Sequence, residues 1–382
     1  MAFFSLDLAA LPDELYDDAV PDEKWFDRAQ KVGPGGFAAG SLSAVSPLAL
    51  GPHLERIINI PLYLTLNWLP FVLPLCAGGL YGWIGLLVLA VALGVGSYAQ
   101  NLVSPSAERQ RAGQYVFTER NNQKYLSMRV VWPASFEQIR GSQHCIFAAI
   151  PHGAAPLGIT CYPLWSRLGG ALCHWTTAPV VLQIPLVGYV LRTIGYIPAK
   201  GKEMSKALER RESVGVVLDG IAGMFQSDER VEKAWVKKRK AIVAIALKAG
   251  VPIVPVYGFG RPRTSPRAAR HESPSRRLAE PSSRHSSLWT VVADPFRLLE
   301  RLSVALDVAL CPFYGRWGWP VGPPRRVAVC TALGAPIECP RVDRPSKQLV
   351  DVYHAKLLDG YTLLFEQHKA AFGWGQKELK FV

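Results

Sequence analysis

The sequence predicts an α/β domain with a mixed or parallel sheet, preceded by an N-terminal transmembrane helical hairpin. Two observations support this fold class. A stretch of 51 residues near the N-terminus has no charged residue, and beyond residue 115 apolar runs of strand length alternate with helical stretches. The 382 residues suffice for one large domain with extensions, and the mean hydropathy of +0.12 is high for a purely soluble protein.

The uncharged stretch runs from Ile57 to Ala107 and follows an acidic N-terminal region, residues 1–56. Because a helix needs about 20 residues to cross the hydrocarbon core of a bilayer, the stretch fits two spans, predicted at 57–77 and 80–99. Pro61, Pro70 and Pro74 would kink the first span and could make it re-entrant. Basic residues flank the pair on both sides, which favours a hairpin with both ends in the cytosol. A buried hairpin in a soluble core is the disfavoured alternative, because soluble core helices rarely run so far without a charge.

The α/β domain is predicted over residues 115–382. Its expected strands are Leu126–Trp132, Cys145–Ile150, Val214–Leu218, Pro252–Tyr257 and Val327–Ala332. Between the strands lie expected helices at Gly201–Arg211 and Trp235–Ala249, the second of which ends at Gly250. A last helix places five apolar or aromatic residues on one face, at Leu349, Tyr353, Leu357, Tyr361 and Phe365.

Charge and cysteine content narrow the class of partner and the compartment. The net charge is +13, and residues 32–382 alone carry +18, which suits an anionic membrane face or a substrate with phosphates. The sequence has neither zinc-finger spacing nor a basic stripe interleaved with aromatic residues, so nucleic-acid binding is the weaker interpretation. The seven cysteines are scattered without a Cys-x-x-Cys, which predicts a reducing compartment, no disulfide framework and no structural zinc.

A segment rich in Arg, Pro and Ser, residues 261–286, interrupts the domain. It contains seven arginines and four prolines, so we interpret it as a surface loop. A solvated insertion is the simpler interpretation. The functional one is electrostatic contact with lipid headgroups or with the phosphates of a substrate.

Three segments could carry chemistry. Ile150-Pro151-His152-Gly153 ends an apolar strand with a histidine, which can take a proton from a hydroxyl, although a lone histidine is more often structural. The segment 218–223 ends another strand in a Gly-rich turn that could donate backbone N–H groups to an anion, or could simply be a tight turn. The basic run 237–240 could bind phosphates or be a solvated helix end. No Gly-x-Ser-x-Gly elbow, complete P-loop or metal-ligand cluster is present.

The order of these segments resembles the type-2 diacylglycerol acyltransferase family, a branch of the glycerolipid acyltransferase superfamily that includes monoacylglycerol and wax-alcohol acyltransferases. The resemblance covers about residues 55–382. The family's His-Pro-His-Gly block is similar to residues 150–153, and its Pro-Gly-Gly-x-x-Glu block is similar to residues 218–223. Its Arg-Lys-Gly-Phe helix start and its Val-Pro-Val-Tyr-x-Phe-Gly strand are matched by Arg239-Lys240 and by residues 254–260.

Three of the positions that depart from the family pattern concern the candidate catalytic groups, and Ala241-Ile242 and Arg261-Pro262 depart from it as well. Ile150 stands at the first histidine of the block, which leaves His152 as the candidate base. Leu157 stands where the superfamily has an aspartate that orients the histidine, and Gly223 stands at the family's glutamate. Asp219 is the candidate substitute for either carboxylate, and the sequence does not choose between them.

The resemblance implies a glycerolipid-acyltransferase-like fold and an acyl-CoA-dependent O-acyltransferase, with diacylglycerol as the expected acceptor and triacylglycerol as the product. His152 would be the catalytic base. Backbone N–H groups near Gly153 or Gly220 would stabilise the oxyanion, and Asp219 would supply a carboxylate. No metal or cofactor is expected, since acyl-CoA is the co-substrate and a thioester is already activated.

The resemblance also implies where the substrates bind. Arg239 and Lys240 would hold the phosphates of coenzyme A, and Pro151, Tyr257 and Phe259 would contribute to substrate binding. Monoacylglycerol, a long-chain alcohol or a lysophospholipid are alternative acceptors, and a catalytically silent lipid-binding or scaffold protein is the alternative of another class. The expected location is the endoplasmic reticulum membrane with the catalytic domain in the cytosol, and the lipid droplet is a second candidate location.

Overall fold

The structure is a computed structural model, and it describes parts of the α/β domain, part of the uncharged stretch and residues 3–7. The described residues are 3–7, 76, 78–79, 81–96, 98, 129–139, 143–151, 173–184, 187–193, 195–220, 223, 231–259, 290–291, 298–306, 313–314, 329–372 and 374–382. His152, Gly153 and Leu157 therefore lie outside the described residues, as does the whole loop 261–286.

Twelve strands lie within the described ranges. In chain order they are β1 Phe3–Asp7, β2 Arg129–Pro133, β3 Ile146–Ile150, β4 Cys173–Thr177, β5 Ile197–Pro198, β6 Ser213–Val217, β7 Val231–Ala234, β8 Ile253–Phe259, β9 Thr290–Val291, β10 Phe313–Tyr314, β11 Cys330–Leu333 and β12 Glu378–Phe381. The described helices are α1 81–96, α2 Ala134–Ile139, α3 Val187–Thr193, α4 Gly201–Glu209, α5 Ala241–Ala249, α6 Leu298–Leu306 and α7 Lys347–His368. Short 3₁₀ turns cover Val181–Gln183 and Lys369–Phe372.

Eight strands form the main sheet in the order β1-β2-β11-β8-β3-β6-β4-β5. Strand β3 pairs in parallel with both β6 and β8, and β4 pairs in parallel with β5 and β6. Strand β11 runs parallel to β2 and antiparallel to β8, and β1 is antiparallel to β2. The sheet is thus mixed and mostly parallel, and the prediction of an α/β domain with a mixed sheet is confirmed.

The core lies where α5 and α7 cover the central strands. Every residue of β3 and β8 is buried, as expected for strands covered on both faces. Ser346 caps the N-terminus of α7 by accepting a hydrogen bond from the Leu349 N–H at 3.1 Å. Gly360 lets α7 approach β8 closely, because a Cβ there would lie only 2.8 Å from Pro255 Cγ.

Most predicted elements are present, with shifted ends, and one helix start was wrong. The helix predicted from Trp235 begins at Ala241, because Trp235 and Val236 continue out of β7 and residues 237–238 form a turn. Strand β7 pairs with β12, more than 140 residues away, and that long-range pairing gives no local signal. Strands β1, β4, β5, β9, β10 and β12 were also missed.

The predicted hairpin is only partly described. Helix α1 lies within the second predicted span, and most of the first span lies outside the described residues. Among the described helices, none has the length and apolarity required to cross a membrane. The predicted domain boundaries stay predictions.

Candidate active site

The carboxyl ends of β3, β6 and β8 meet at one edge of the sheet, where α/β proteins commonly bind ligands. The register aligns Ala149 with Val217 and Ile150 with Tyr257. The Leu218 N–H donates to the Ala149 carbonyl at 2.9 Å, so β6 and β3 leave the sheet side by side. We call this region the site edge. Two of the segments predicted to carry chemistry, 150–153 and 218–223, begin there.

Strand β3 ends just before the candidate base in the chain. Pro151 is buried and follows Ile150 through a cis peptide bond. His152 and Gly153 come next in the chain but lie outside the described residues. Their roles as base and oxyanion donor stay predictions.

Strand β6 ends in a buried carboxylate and a glycine turn. Asp219 is fully buried, with 0% of its surface exposed. Gly220 has φ of 54°, in the left-handed region that glycine enters at little cost. The predicted Gly-rich turn is therefore present, and Asp219 lies at its start beside the end of β3.

Arg239 reaches the same turn from the loop between β7 and α5. A Cβ added at Gly220 would lie 3.3 Å from Arg239 Nη2, so the guanidinium lies against the turn backbone. The Arg239 N–H donates to the Val236 carbonyl at 2.9 Å, and the His354 ring contacts that same carbonyl through Nε2 at 3.0 Å. Burial lowers the pKa of His354. The structure thus brings together two segments predicted separately, the Gly-rich turn and the basic run.

Lys240, the other predicted phosphate ligand, is held differently. Its Nζ lies 2.7 Å from Asp351 Oδ1 on α7. Both side chains are about half exposed, so the pair contributes at most about 1 kcal/mol to stability. Helix α5 begins directly after Lys240, which puts the positive end of its dipole beside the basic run. Phosphate binding by Lys240 stays a prediction.

Tyr257 and Phe259, predicted to bind substrate, lie in the packed core of this structure. Both are 0% exposed, and their ring centroids are 4.6 Å apart. Phe365 of α7 lies 5.5 Å from Tyr257, and Trp374 lies 5.6 Å from Phe259, measured between centroids. The two rings join β8 to α7, and their contact with substrate stays a prediction.

Helix α7 contributes groups near the site edge that no sequence motif marks. The Tyr361 hydroxyl donates to the Ala148 carbonyl of β3 at 2.9 Å. Burial, followed by the nearby Asp219 carboxylate, raises the pKa of Tyr361 well above its usual value. His368 is also buried and lies edge-on to Phe259, with centroids 6.2 Å apart. The spacing of residues 361, 365 and 368 marks a buried helix face, but it does not show what that face meets.

Comparison with known proteins decides the family. The family model described as diacylglycerol acyltransferase matches residues 91–284 and 295–381, well over half of the chain. The chain belongs to the diacylglycerol acyltransferase family. The family predicted from the motifs is therefore confirmed, and with it the expectation of an acyltransferase.

Relatives with different named activities match at low identity. The chain is 26% identical over 249 residues to diacylglycerol O-acyltransferase 2-like protein 6 of Bos taurus, covering 61% of this chain and 68% of the relative. It is 24% identical over 328 residues to diacylglycerol O-acyltransferase 2 of Dictyostelium discoideum, covering 81% and 94%. It is 27% identical over 244 residues to acyl-CoA wax alcohol acyltransferase 1 of Mus musculus, covering 61% and 68%.

Some of these relatives extend well beyond the part of their sequence that aligns with this chain. The match covers 64% of diacylglycerol O-acyltransferase 2 of Bos taurus. Among solved structures, the 1-acyl-sn-glycerophosphate (LPA) acyltransferase PlsC from Thermotoga maritima superposes on 80% of this chain and 97% of its own. Its TM-score of 0.33 and identity of 16% are too low to compare the two sites.

Proposed function

We propose that this protein transfers a fatty acyl group from acyl-CoA to the free hydroxyl of diacylglycerol, forming triacylglycerol. One structural observation supports the proposal in addition to family membership. The Asp219–Gly220 turn, the Arg239 guanidinium and the end of the strand that leads into His152 all lie at the site edge. A base, an anion-binding turn and a cation are the groups that acyl transfer from a phosphate-bearing thioester requires.

In the proposed reaction His152 takes the proton of the acceptor hydroxyl while that oxygen attacks the thioester carbonyl carbon. The electron pair of the carbonyl moves to its oxygen, and backbone N–H groups of Gly153 and Gly220 stabilise the resulting oxyanion. Removing one such donor typically lowers the rate by about 10²–10³-fold. When the carbonyl re-forms, the C–S bond breaks, the ester is released, and the leaving thiolate takes the proton from His152.

Arg239 is the stronger candidate for holding the coenzyme A phosphates. Its guanidinium already lies at the Gly220 turn, whereas the Lys240 ammonium lies against Asp351. The beginning of α5 adds backbone N–H groups and a positive dipole end, which favour phosphate. Pro151, Tyr257 and Phe259 stay candidates for the acyl or acceptor path.

A long-chain alcohol is the second candidate acceptor. The wax alcohol acyltransferase of Mus musculus is as similar in sequence as the diacylglycerol acyltransferases, at 27% identity. Monoacylglycerol and lysophospholipid follow. A catalytically silent lipid-binding protein is the candidate of another class, since Leu157 and Gly223 stand where the family pattern has carboxylates.

We further propose that the uncharged stretch 57–107 anchors the protein in the endoplasmic reticulum membrane, with the α/β domain in the cytosol and lipid droplets as a second destination. The exposed side chains of α1 support the anchoring. Trp83 is 74% exposed, and Val88 and Val95 are each more than 60% exposed. So large an apolar surface is unusual on a water-exposed helix and suits contact with lipid.

The test uses membranes from cells that lack their own triacylglycerol synthesis and express the full chain. Labelled oleoyl-CoA is supplied with diacylglycerol, or in separate reactions with monoacylglycerol, a long-chain alcohol or a lysophospholipid. We expect labelled triacylglycerol from the wild type and none from His152→Ala. The matched control is His144→Ala. His144 precedes β3 in the chain and His152 follows it, so the control histidine lies at the opposite end of the strand.

Each other outcome removes one part of the proposal. Product with another acceptor alone shows that diacylglycerol is the wrong substrate. No product with any acceptor favours the silent protein. Full activity of His152→Ala, with normal protein amounts, refutes the assignment of the base.

A further inference from the structure

The loop between β7 and α5, residues 235–240, carries the basic run and turns on one shared carbonyl. The Val236 carbonyl accepts the Arg239 N–H at 2.9 Å, which closes a turn over residues 236–239. The same carbonyl lies 3.0 Å from Nε2 of His354. Because a carbonyl oxygen can only accept, Nε2 of His354 carries the proton and donates it. A histidine of α7 therefore fixes the carbonyl on which the backbone of Arg239 turns.

Two further contacts hold the same loop in place. The Val382 carbonyl accepts from the Lys237 N–H at 3.1 Å. Asp351, one helical turn before His354 on α7, lies 2.7 Å from Lys240 Nζ. Together with the histidine, these contacts attach the loop backbone and one lysine to the rest of the domain. The loop is thus anchored through groups other than its guanidinium.

His354 is placed to transmit the packing of the core to this loop. It is 4% exposed, and burial lowers its pKa, so the ring is neutral at pH 7. Lys240 and Asp351 are the charged groups that act on the ring. Burying a polar ring is costly, and a contact made only for packing would not need one. The hydrogen bond to Val236 uses that polar group to tie the loop to the helix that covers β8.

The guanidinium that the loop presents meets other groups that favour an anion. Nη2 of Arg239 lies 3.3 Å from the position that a Cβ would take at Gly220, where the backbone turns. Helix α5 begins two residues later at Ala241, and no side chain caps its N-terminus. A cation held beside a helix N-terminus suits phosphate. When such a cation is already in place, less conformational entropy is lost on binding.

We propose that His354 is a positioning residue for the recognition of the coenzyme A phosphates. It holds the Val236–Arg239 turn, and thereby places the Arg239 guanidinium at the Gly220 turn before the thioester binds. This inference rests on the proposed function, in which Arg239 binds those phosphates. His354 touches no substrate and acts through Arg239. Loss of its N–H therefore weakens the binding of acyl-CoA and leaves the rate at saturation unchanged.

The test removes the donor and then restores it. His354→Leu keeps apolar bulk without an N–H, whereas His354→Gln places an amide N–H near the position of Nε2. Both variants are assayed with oleoyl-CoA and diacylglycerol in the same membranes as the wild type. For His354→Leu we expect KM for oleoyl-CoA to rise about 10-fold with kcat within about 2-fold of wild type. For His354→Gln we expect KM within about 3-fold of wild type.

Two comparisons show whether the effect runs through Arg239 and phosphate. Arg239→Ala alone should raise KM for oleoyl-CoA. Adding His354→Leu to Arg239→Ala should change KM by less than about 2-fold, because the group through which His354 acts has been removed. With oleoyl-N-acetylcysteamine, a thioester that carries no phosphate, neither single variant should change KM.

The matched control is His174→Leu. His174 is 2% exposed, and its Nδ1 lies 2.8 Å from the Gly195 carbonyl, so it too is a buried histidine bonded to a backbone carbonyl. It pairs with Val214 across β4 and β6, at the opposite end of β6 from the site edge. This variant should lower the melting temperature without raising KM for oleoyl-CoA.

A binding measurement separates this inference from the proposed function. Coenzyme A is titrated into the purified full-length wild type and each variant, and Kd is measured by calorimetry. If the wild type transfers no acyl group with any acceptor, yet Kd follows the pattern expected for KM, the proposed function is refuted and the inference stands. A wild type that neither transfers an acyl group nor binds coenzyme A overturns both.

Three results would overturn the inference while leaving the proposed function intact. The first is an active His354→Leu variant whose KM and Kd are those of the wild type. The second is an effect of His354→Leu that is equally large in the Arg239→Ala background or with the phosphate-free thioester. The third is an equal rise of KM in His174→Leu, which would show that general loss of stability is the cause.

Discussion

His368 is a histidine that the fold keeps neutral. It is 4% exposed, lies against Phe259, and burial lowers its pKa from 6.5 to about 4. Between these two pH values the unfolded chain binds a proton at residue 368 that the folded chain does not. The contribution of His368 to stability is therefore complete above about pH 6.5 and is lost as the pH falls toward 4.

We expect the free energy of unfolding to decrease between pH 7 and pH 4.5, by on the order of 1–3 kcal/mol for this residue. In His368→Phe, which keeps a ring against Phe259, the pH dependence should become shallower. Some slope will persist, because the pKa of His354 is lowered too. Thermal unfolding followed at several pH values tests this. An unchanged slope in the variant would show that His368 does not titrate on unfolding.

At the scale of a residue, Asp219 illustrates which contacts a sequence motif does not predict. The strand end and the Gly-rich turn were predictable from the order of apolar and glycine residues. The contact of the Asp219 side chain with Gly223 was not predictable, because it forms across a turn. The proximity of Arg239 to the Gly220 turn was not predictable either, since Arg239 follows a different strand.

Among the elements, strand β6 depends on close packing against its neighbour β4. A Cβ at Gly215 would overlap the ring of Trp175, which pairs with Gly215 across the two strands. The strand therefore accepts only glycine at this position unless the indole moves. Because β6 delivers Asp219 to the site edge, a shift of this strand would also disturb the site.

We expect Gly215→Ala to lower the free energy of unfolding by about 1–3 kcal/mol, the usual cost of overpacking a core. Gly201→Ala is the matched control, because at the start of α4 an added Cβ meets only Ile245 Cδ1 at 3.7 Å. That change should be neutral or stabilise by up to about 1 kcal/mol. Thermal unfolding compares the two variants, and equal melting temperatures would contradict the packing argument.

The start of α5 shows why the boundaries of elements were less predictable than their existence. Residues 235–249 have a continuous helix-like composition, and the end at Gly250 was correct because glycine adopts φ of 68° there. The true start at Ala241 depends on contacts from the end of the chain. Strand β12 pairs with β7, and the Val382 carbonyl accepts from the Lys237 N–H at 3.1 Å.

At the scale of the whole molecule, an apolar helix and a basic α/β domain suggest joint attachment to an anionic membrane. Residues 32–382 carry a net charge of +18, and α1 has exposed apolar side chains around most of its surface. The binding free energies from apolar contact and from electrostatic attraction add in such attachment. The proposed anchoring therefore predicts binding that depends on both terms.

We expect the purified full-length chain to bind vesicles that contain anionic lipid. The double variant Leu87→Lys/Val91→Lys should bind at least ~10-fold more weakly, because both side chains are more than half exposed and each would place a charge in the lipid. Val352→Lys is the control, since Val352 is 53% exposed on α7 and lies outside the uncharged stretch in the sequence. Vesicle flotation measures binding, and equal flotation of all three proteins would refute a role for α1.

The sequence alone determined the fold class, five strands of the main sheet, the family and the segments that carry chemistry, because apolar periodicity, glycine turns and short motifs are local properties. The three-dimensional structure decided which of these segments meet. Parallel pairing of β3 with β6 places the Asp219 turn beside the chain that leads into His152, and the basic run reaches that turn through Arg239. Such contacts join residues far apart in the chain, and they depend on the packing of whole elements, which no local pattern encodes.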